Sequence, residues 1–460
     1  MNGGAAPDEH TALLGSGGRS ANGSHSTRDF FFNSRVTPGL ESKKPWVKYP
    51  AHVWHITKMT LLSSPVNILL VCVPIGIIAG QGGWDPIAVF TINFFAIIPL
   101  AAVLSFATEE ISDKLGESLG GLLNATFGNA VELIVSIIAL QNNQLQVVKS
   151  SMIGSILSNI LLVMGMCFFF GGLVNMRDGN GDGTEQSFAS ITAQTTSSLM
   201  TLSAASMILP GTLFMIINPA DDEKSTRRTI LALSRGTAII LLILYVMYLF
   251  FQLKTHHNLF SLESATTPPD SQNASDEESK DKEEHMSPWS AGVVLIVTTV
   301  LVSICADYLV DSIDSLVERA HISRNFIGLI LIPIVGNAAE HVTAVVVAVK
   351  NKMDLAMGVA IGSSIQIALF VTPLLVILGW IMDRDMDLHF ETFETVSFAL
   401  SVLVVIYTVM DGKSNYLEGV MLMALYIIIA LAFFVTPSED FDNENATLLS
   451  HAVRSIFGSS

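Results

Sequence analysis

Long apolar stretches alternate with short polar intervals along most of the chain. Between about Asn67 and Val435, the apolar stretches approach the roughly 20 residues that a helix needs to cross a bilayer. This pattern predicts an all-α polytopic membrane protein with eleven transmembrane helices. Their approximate bounds are 64–81, 86–109, 117–140, 147–173, 191–217, 230–252, 289–317, 325–349, 354–382, 392–410 and 416–436.

One polar interval, residues 253–288, differs from the others because it is long and strongly acidic. Between Glu263 and Glu284 it holds eight carboxylates and two lysines. A run this charged is too costly to place in lipid, so we expect an acidic cytosolic linker between two hydrophobic halves, 86–252 and 289–436. Its segment 276–284 is either plain solvated linker or a functional acidic segment that gathers or senses cations.

The two ends of the chain are predicted to lie on opposite sides of the membrane. Residues 1–63 are polar and rich in Gly, Ser and Asn, which predicts a disordered tail, and 64–81 is the first transmembrane helix. Lys43, Lys44 and Lys48 precede that helix, and basic residues favour the cytosol. Eleven crossings then place the C-terminal tail, 437–460, in the lumen. The basic residues in the loop 221–229 conflict with this topology, because that loop would be lumenal.

Composition and charge narrow the partners. Half of the residues are hydrophobic, 14% are charged and the net charge is −17. We do not expect nucleic-acid binding, because phosphate contacts need a basic surface. The lipid bilayer is the expected partner, and the oligomeric state is not predicted.

The two hydrophobic halves contain a repeated motif. When the first half is shifted by 208 positions, residues 124–159 align with 332–367 without a gap and share eight identities. The sequence GNAVE at 128–132 meets GNAAE at 336–340, and the Gly–Ser pairs at 154 and 362 also coincide. The motifs fall on the third and eighth predicted helices. Five crossings separate them, so the repeats run in opposite directions, as in many secondary transporters.

Glu132 and Glu340 lie near the middle of their predicted helices, where a carboxylate is expensive and is by default a functional residue. A buried pair that holds helices together, or charges that reach toward the interface, are the alternatives. Hard cations such as Ca²⁺ prefer carboxylate and neutral oxygen ligands. We therefore predict Glu132 and Glu340 as metal ligands, within a cation- and proton-binding set that also includes Asn129, Asn337, Gly128, Gly336, Ser155, Ser158, Ser363 and Gln366.

Ca²⁺ and H⁺ are expected to compete for the carboxylate pair. Two carboxylates balance one divalent ion, and without that ion desolvation and mutual repulsion favour their protonation. The competition would couple the two fluxes if only loaded sites reorient. We therefore expect no bound cofactor beyond the transported Ca²⁺ and the coupling H⁺.

Other polar residues are predicted to be peripheral. An access vestibule or proton path is one interpretation, and ordinary helix-end charge or a packing histidine is the other. The residues concerned are Glu109, Glu110, Asp113, Asp307, Asp311, Asp314 and His341.

The motifs resemble a known family. GNAVELIVSIIAL with GNAAEHVTAVVVAVKNK, and GSILSNILLVMG with GSSIQIALFVTPLLVILGW, are similar to the two repeats of CAX-type calcium/proton exchangers in the calcium/cation antiporter superfamily, the fungal vacuolar members above all. The resemblance implies an extra first helix followed by two inverted five-helix repeats. It also implies Ca²⁺ binding between Glu132 and Glu340, exchange for H⁺ across a vacuolar membrane, and possible transport of Mn²⁺.

Three other functions remain open as alternatives to this antiporter. One is a sodium-coupled exchanger of the same superfamily, and another is a passive cation channel lined by carboxylates. The third is a membrane-embedded hydrolase, although the sequence lacks a metal–histidine cluster. We expect a secondary transporter and not an enzyme.

Overall fold

The computed structural model describes residue 37 and residues 44–115, 117–177, 183–188, 190–216, 223–256 and 286–436. The described chain is mostly helical. Seven of its helices are long and apolar enough to cross a membrane, and nine spans result if each of two broken helix pairs counts as one. The seven are Pro86–Leu115, Leu145–Val174, Thr226–Thr255, Pro288–Ala320, Met353–Ile381, Thr392–Val409 and Tyr416–Val435.

The helices of the first part of the chain, with the exception of α1, overlap the predicted apolar segments. They are α1 (Pro45–Leu62), α2 (Cys72–Gln81), α3 (Pro86–Leu115), α4 (Glu117–Phe127), α5 (Ala130–Gln141), α6 (Leu145–Leu157), α7 (Met164–Val174), α8 (Ser190–Ile216) and α9 (Glu223–Phe250). A 3₁₀ turn, Pro65–Val71, precedes α2. Two π-helical segments, Ser158–Val163 and Phe251–Thr255, join α6 to α7 and extend α9.

The second part of the chain continues in the same way after the acidic interval. Its helices are α10 (Pro288–Asp311), α11 (Ile313–Ala320), α12 (Arg324–Phe326), α13 (Ile332–Gly336), α14 (Ala338–Val349), α15 (Met353–Gln366), α16 (Thr372–Ile381), α17 (Thr392–Val409) and α18 (Tyr416–Val435). The π-helical segments Ile327–Leu331 and Ile367–Val371 lie before α13 and after α15. Two short strands, β1 (Gln186–Ser187) and β2 (Lys413–Ser414), pair antiparallel.

The predicted disordered tail is wrong for residues 45–62, which form α1. This helix belongs to a separate compact unit, Met1–Leu62, in which Thr37 Oγ1 lies 3.0 Å from His55 Nδ1. Its apolar residues are interspersed with lysines and histidines, so it lacks the long apolar run that guided the prediction. Pro45 stands at its first position, where proline is well tolerated because the missing N–H has no helical partner.

Smaller corrections concern the linker and the tails. The π segment after α9 continues to Thr255, so the first residues of the predicted linker are helical. The acidic run, including 276–284, and the C-terminal tail 437–460 lie outside the described residues. The same holds for 1–36 and 38–43.

Elements of the two halves recur at the same offset as the sequence motifs. Helices α5 and α14 begin at Ala130 and Ala338, 208 positions apart, and each has 12 residues. Helices α6 and α15 begin at Leu145 and Met353, again 208 positions apart, and each runs directly into a π segment. The turns before α6 and α15 contain Asn143 and Asn351 with φ of 60° and 59°.

Contacts between loops define two ends of the helical bundle, named here the Asn143 end and the Asn351 end. At the Asn143 end, Arg384 donates hydrogen bonds to the Gln141 carbonyl and the Asn143 side chain, and Ser323 donates one to the Phe433 carbonyl. Two salt bridges, Arg227–Asp385 and Arg319–Asp85, lie at the same end. At the Asn351 end, Gln186 bonds to Asn351, Asn175 bonds to the Val349 carbonyl, and β1 pairs with β2.

Two glycines allow backbones to touch in the middle of the bundle. A Cβ added to Gly154 on α6 would lie 2.1 Å from the carbonyl oxygen of Leu329. A Cβ added to Gly328 would lie 2.8 Å from Ser150 Cβ. Helix α6 therefore crosses the π segment Ile327–Leu331 at backbone contact, which small residues permit in membrane helices. The crossing brings the GNAAE motif of the second half next to the first half.

Candidate functional site

Each motif glutamate lies in the first turn of a helix that follows a break. Glu132 is the third residue of α5 and Glu340 is the third residue of α14. The breaks fall at Gly128 and Asn129 in the first half and at Asn337 in the second, where the segments Arg324–Gly336 and Ala338–Val349 form a span bent by 58°. A helix N-terminus favours negative charge, so each break offers its carboxylate partial compensation within the bundle.

The Asn129 side chain joins the two halves. Its Nδ2 donates to Gln366 Oε1 at 2.7 Å, and its Oδ1 accepts from Ser363 Oγ at 2.8 Å. Asn159 Nδ2 in turn donates to Ser363 Oγ at 3.0 Å. Four of these polar side chains therefore form one chain of hydrogen bonds across the interface between the halves.

The second motif makes the related contacts with the first half. Asn337 Nδ2 lies 3.5 Å from the Ser155 carbonyl oxygen, and Ser158 Oγ lies 3.1 Å from His341 Nε2. Each motif asparagine thus faces the Gly–Ser segment of the other half. The predicted binding residues Asn129, Asn337, Ser155, Ser158, Ser363 and Gln366 all lie in this interface.

The two motif glycines act differently. A Cβ on Gly336 would lie 2.6 Å from Glu132 Oε1, so glycine at this position leaves room for the carboxylate. A Cβ on Gly128 would meet only the Asn124 carbonyl oxygen of the preceding turn, at 2.8 Å. Glu132 is 4% exposed, whereas Glu340 is half-buried and interacts electrostatically with Glu132.

Six buried oxygens of this interface have no hydrogen-bond partner among the described residues. They are Glu132 Oε2, Glu340 Oε2, Ser136 Oγ, Ser155 Oγ, Asn159 Oδ1 and Asn337 Oδ1. Buried polar atoms are nearly always paired, so such a group needs an explanation. Two carboxylates with neutral hydroxyl and amide oxygens make the ligand set that Ca²⁺ prefers. The described residues contain no group of three or more His, Cys, Asp or Glu side chains arranged for a metal, so any cation here relies on the neutral oxygens as well.

A cavity of about 320 Å³ borders this site. It is lined by Ser105, Glu109, Gly121, Asn124, Gly128, Leu249, Gln252, Leu253, Glu340, Thr343, Gly358, Val359, Ser363 and Gln366. Gly358 lies just beyond the Asn351 turn, so the cavity belongs to the Asn351 end. Glu340 is part of its wall and Glu132 is not, so a solute from this end meets Glu340 first.

The two predicted acidic sets do not share one vestibule. Glu109 lines the Asn351-end cavity, Glu110 accepts a hydrogen bond from the Met286 backbone N–H at 2.6 Å, and Asp113 is exposed near the end of α3. Asp311 and Asp314 instead accept from Asn142 and Gln144 at 2.9 Å each, at the Asn143 end. Helical spacing predicts that each set shares one helix face, but it does not predict at which end of the bundle that part of the helix lies.

The remaining peripheral residues lie on the helices between the ends. Asp307 is exposed on α10, one turn before Asp311. His341 is half-buried and is held by Ser158, so it lies beside the site and not in the wall of the cavity.

Sequence reasoning missed some polar residues. Asn159 offers a neutral oxygen near Ser155 and Ser158, but it aligns with Ile367 in the repeat and is left out of the predicted binding set. In the structure its Nδ2 donates to Ser363, and its buried Oδ1 has no hydrogen-bond partner among the described residues. Lys149 and Glu394, which lie in a second cavity at the Asn143 end, carry no motif that could have identified them.

Comparison with known proteins agrees with this architecture. The sodium/calcium exchanger protein family matches twice, over residues 86–254 and 290–435. The vacuolar calcium ion transporter of Schizosaccharomyces pombe is 48% identical over 386 residues, 83% of this chain and 87% of that protein. The Ca²⁺/H⁺ antiporter of Aphanothece halophytica is 45% identical over 374 residues, 80% of this chain and 96% of that protein.

A solved structure has a similar fold. The structure of native YfkE superposes with a TM-score of 0.66 at 35% identity, covering 81% of this chain and all of that one. The relatives are transporters and not enzymes, and their similarity extends through both halves. The chain therefore belongs to the sodium/calcium exchanger family, and within it to the transporters that resemble calcium/proton antiporters.

Proposed function

We propose that the chain is a secondary antiporter that moves Ca²⁺ into a vacuole or similar acidic organelle in exchange for H⁺. The observation that carries the proposal is the pair Glu132 and Glu340 at the interface of the two halves, surrounded by buried oxygens without partners. The names of the similar proteins, a vacuolar calcium ion transporter and a Ca²⁺/H⁺ antiporter, support the choice of ions and of membrane.

We propose eleven crossings, with an extra first helix and two inverted five-helix repeats. The common offset of α5 with α14 and of α6 with α15 supports the repeat, and so does the double match of one family. In this topology the Asn351 end is cytosolic and the Asn143 end is lumenal. The N-terminus is then cytosolic and the C-terminus lumenal.

In the proposed mechanism Ca²⁺ enters from the cytosol through the cavity that reaches Glu340. It then draws in Glu132, because two carboxylates balance the charge of a divalent ion in a poorly solvated site. After the halves reorient, lumenal protons replace Ca²⁺ on the same carboxylates and return to the cytosol. The oxygen ligands also suit Mn²⁺, which we propose as a second substrate.

Uptake into proteoliposomes that hold the full chain tests this function. An acidic interior should drive Ca²⁺ uptake, a protonophore should abolish it, and a Na⁺ gradient should have no effect. Uptake that follows Na⁺ and ignores the protonophore would establish a sodium-coupled exchanger instead. Unitary currents in a planar bilayer would establish a channel.

A further inference from the structure

A second cavity of about 650 Å³ lies at the Asn143 end. It is lined by Asn142, Asn143, Gln144, Leu145, Gln146, Lys149, Asp314, Arg324, His389, Glu391 and Glu394. Neither Glu132 nor Glu340 belongs to its wall. The first cavity therefore reaches Glu340 from the Asn351 end, and this second cavity borders neither central carboxylate.

Helix α6 is tied across this cavity to the segment 387–394 of the second half. Lys149 Nζ lies 3.1 Å from Asp387 Oδ1 and donates to the His389 carbonyl oxygen at 2.9 Å. Gln146 donates to Glu391, and Ser150 donates to Glu394. These six side chains are named here the clasp: Gln146, Lys149 and Ser150 with Asp387, Glu391 and Glu394.

The position of the clasp relates it to access. Helix α6 carries Ser150 in the clasp and Ser155, with its unpaired oxygen, in the central site. The clasp joins the first half to the second at the end opposite the open cavity. A path that opened from the Asn143 end between α6 and the segment 387–394 would break the clasp.

Glu394 is the clasp carboxylate most removed from water, with 2% of its surface exposed. It accepts from Ser150 Oγ and, at 3.3 Å, from the Glu391 backbone N–H as part of a capping box at the start of α17. Hydrogen bonds to an ionised carboxylate are about twice as strong as those between neutral groups. A proton on Glu394 therefore weakens the tie between α17 and Ser150 of α6.

The other charged groups around the cavity point to a proton and not a second metal ion. Lys149 on α6 and Arg324 on α12 oppose cation binding beside Glu391 and Glu394, and Asp314 already pairs with Arg324 at 3.1 Å. Burial lowers the pKa of His389, and Lys149 lowers it further while Asp387 raises it. The charged form of His389 is therefore disfavoured here, and the clasp carboxylates are the candidate proton acceptors.

We propose that the clasp is the closed gate of the transport path at the Asn143 end, and that a proton bound by Glu394 from the second cavity opens it. The proton passes from a hydronium ion in the cavity to a carboxylate oxygen, which leaves water and a neutral carboxylic acid. This inference rests on the proposed function, because it gives lumenal protons a second role, in which they favour the lumen-open state before they replace Ca²⁺.

A spin-label distance tests the gate without requiring transport. Labels are attached to cysteines at the exposed positions Asn142 and Asp385 of the full chain, with Cys72, Cys167 and Cys305 replaced by alanine. Acidification from neutral to about pH 5 covers a range in which buried carboxyl groups bind protons. It should shift the distribution of distances between the two labels toward longer values. Glu394→Gln, which mimics the protonated acid, should give the long distance at every pH.

Three further variants separate proton binding from other roles of these residues. Glu418→Gln removes a matched charge, because Glu418, like Glu394, is the N3 residue of a capping box, and it lies on α18 outside the clasp. It should behave like the unsubstituted chain. Glu394→Asp keeps a titratable group and should keep the pH response, and His389→Gln should keep it as well.

Several outcomes would overturn the gate. One is a Glu394→Gln protein whose label distance still changes with pH. Another is a Glu418→Gln or His389→Gln protein whose label distance no longer changes with pH. The third is an unsubstituted chain whose label distance does not depend on pH. Ca²⁺ uptake by the unsubstituted chain is measured in parallel. Proton-driven uptake with unresponsive distances defeats the gate alone, whereas absence of proton-driven uptake defeats the proposed function.

Discussion

At the scale of single residues, the carboxylates within the bundle lie next to residues of the opposite half of the chain. Glu132 is buried beside Gly336 of the other half, and Glu340 lines a cavity together with Gly128 of the other half. The sequence predicts this pair because both carboxylates lie in repeated motifs. Asn159 stays outside the predicted set because it aligns with the apolar Ile367, and Glu394 is not identified because it lies outside the aligned segments. Only tertiary contact reveals what each one faces.

Gly336→Ala should impair transport without unfolding the protein. The new Cβ would fall 2.6 Å from Glu132 Oε1, so the carboxylate must move from its present position. Since a displacement of about 1 Å can cost a hundredfold in rate, we expect Ca²⁺ uptake to fall by about tenfold to a hundredfold. Gly362→Ala is the control, because a Cβ there meets nothing within 4 Å. Equal uptake by the two variants would refute the role given to Gly336.

His389 should contribute to the loss of stability in acid. Burial lowers its pKa in the folded state, so the unfolded chain binds the proton more readily. Its contribution to stability is complete above the unfolded pKa of about 6.5 and declines as the pH falls from there toward the lower folded pKa. The melting temperature of His389→Gln should therefore fall less than that of the unsubstituted chain as the pH is lowered over that range. At neutral pH the two melting temperatures should be equal. Parallel melting curves at all pH values would contradict this assignment.

At the scale of helices, the breaks and crossings position the site. Helices α5 and α14 begin within the bundle because the preceding turns leave helical geometry at Asn129 and Asn337. The sequence indicates loosened turns at the motif glycines, and each break lies at or directly after its glycine. The contact of Gly154 with Leu329 could not be predicted, because a glycine in an apolar run does not show which backbone it approaches.

Gly154→Ala should destabilise the bundle. Its Cβ would lie 2.1 Å from a backbone oxygen that no rotamer change can move, so α6 and the π segment Ile327–Leu331 must separate. Overpacking of this kind costs about 1–3 kcal/mol, and we expect a lower melting temperature in detergent. Gly358→Ala, at a position with open space, should melt like the unsubstituted chain. A Gly154→Ala protein that is as stable as Gly358→Ala would show that the crossing is looser than described.

At the scale of the whole molecule, two hydrophobic halves that share a repeated motif each place one carboxylate at their interface. The apolar pattern predicts helices that the structure contains in each of the eleven segments, because the length and hydropathy of a membrane helix are set by the bilayer. The same criterion fails for α1, which is too polar to be recognised by hydropathy. Contacts between residues far apart in the chain decide to which end each acidic residue and each cavity belongs. The apolar pattern carries no information about these contacts.

The central claim is that Ca²⁺ and protons compete for Glu132 and Glu340. Calorimetric titration of the purified chain with Ca²⁺, in two buffers of different ionisation enthalpy, measures both the affinity and the protons released. We predict proton release on binding, an affinity that falls as the pH is lowered, and loss of both in Glu132→Gln and Glu340→Gln. Ca²⁺ binding that is independent of pH, or that survives unchanged in either variant, would contradict the account.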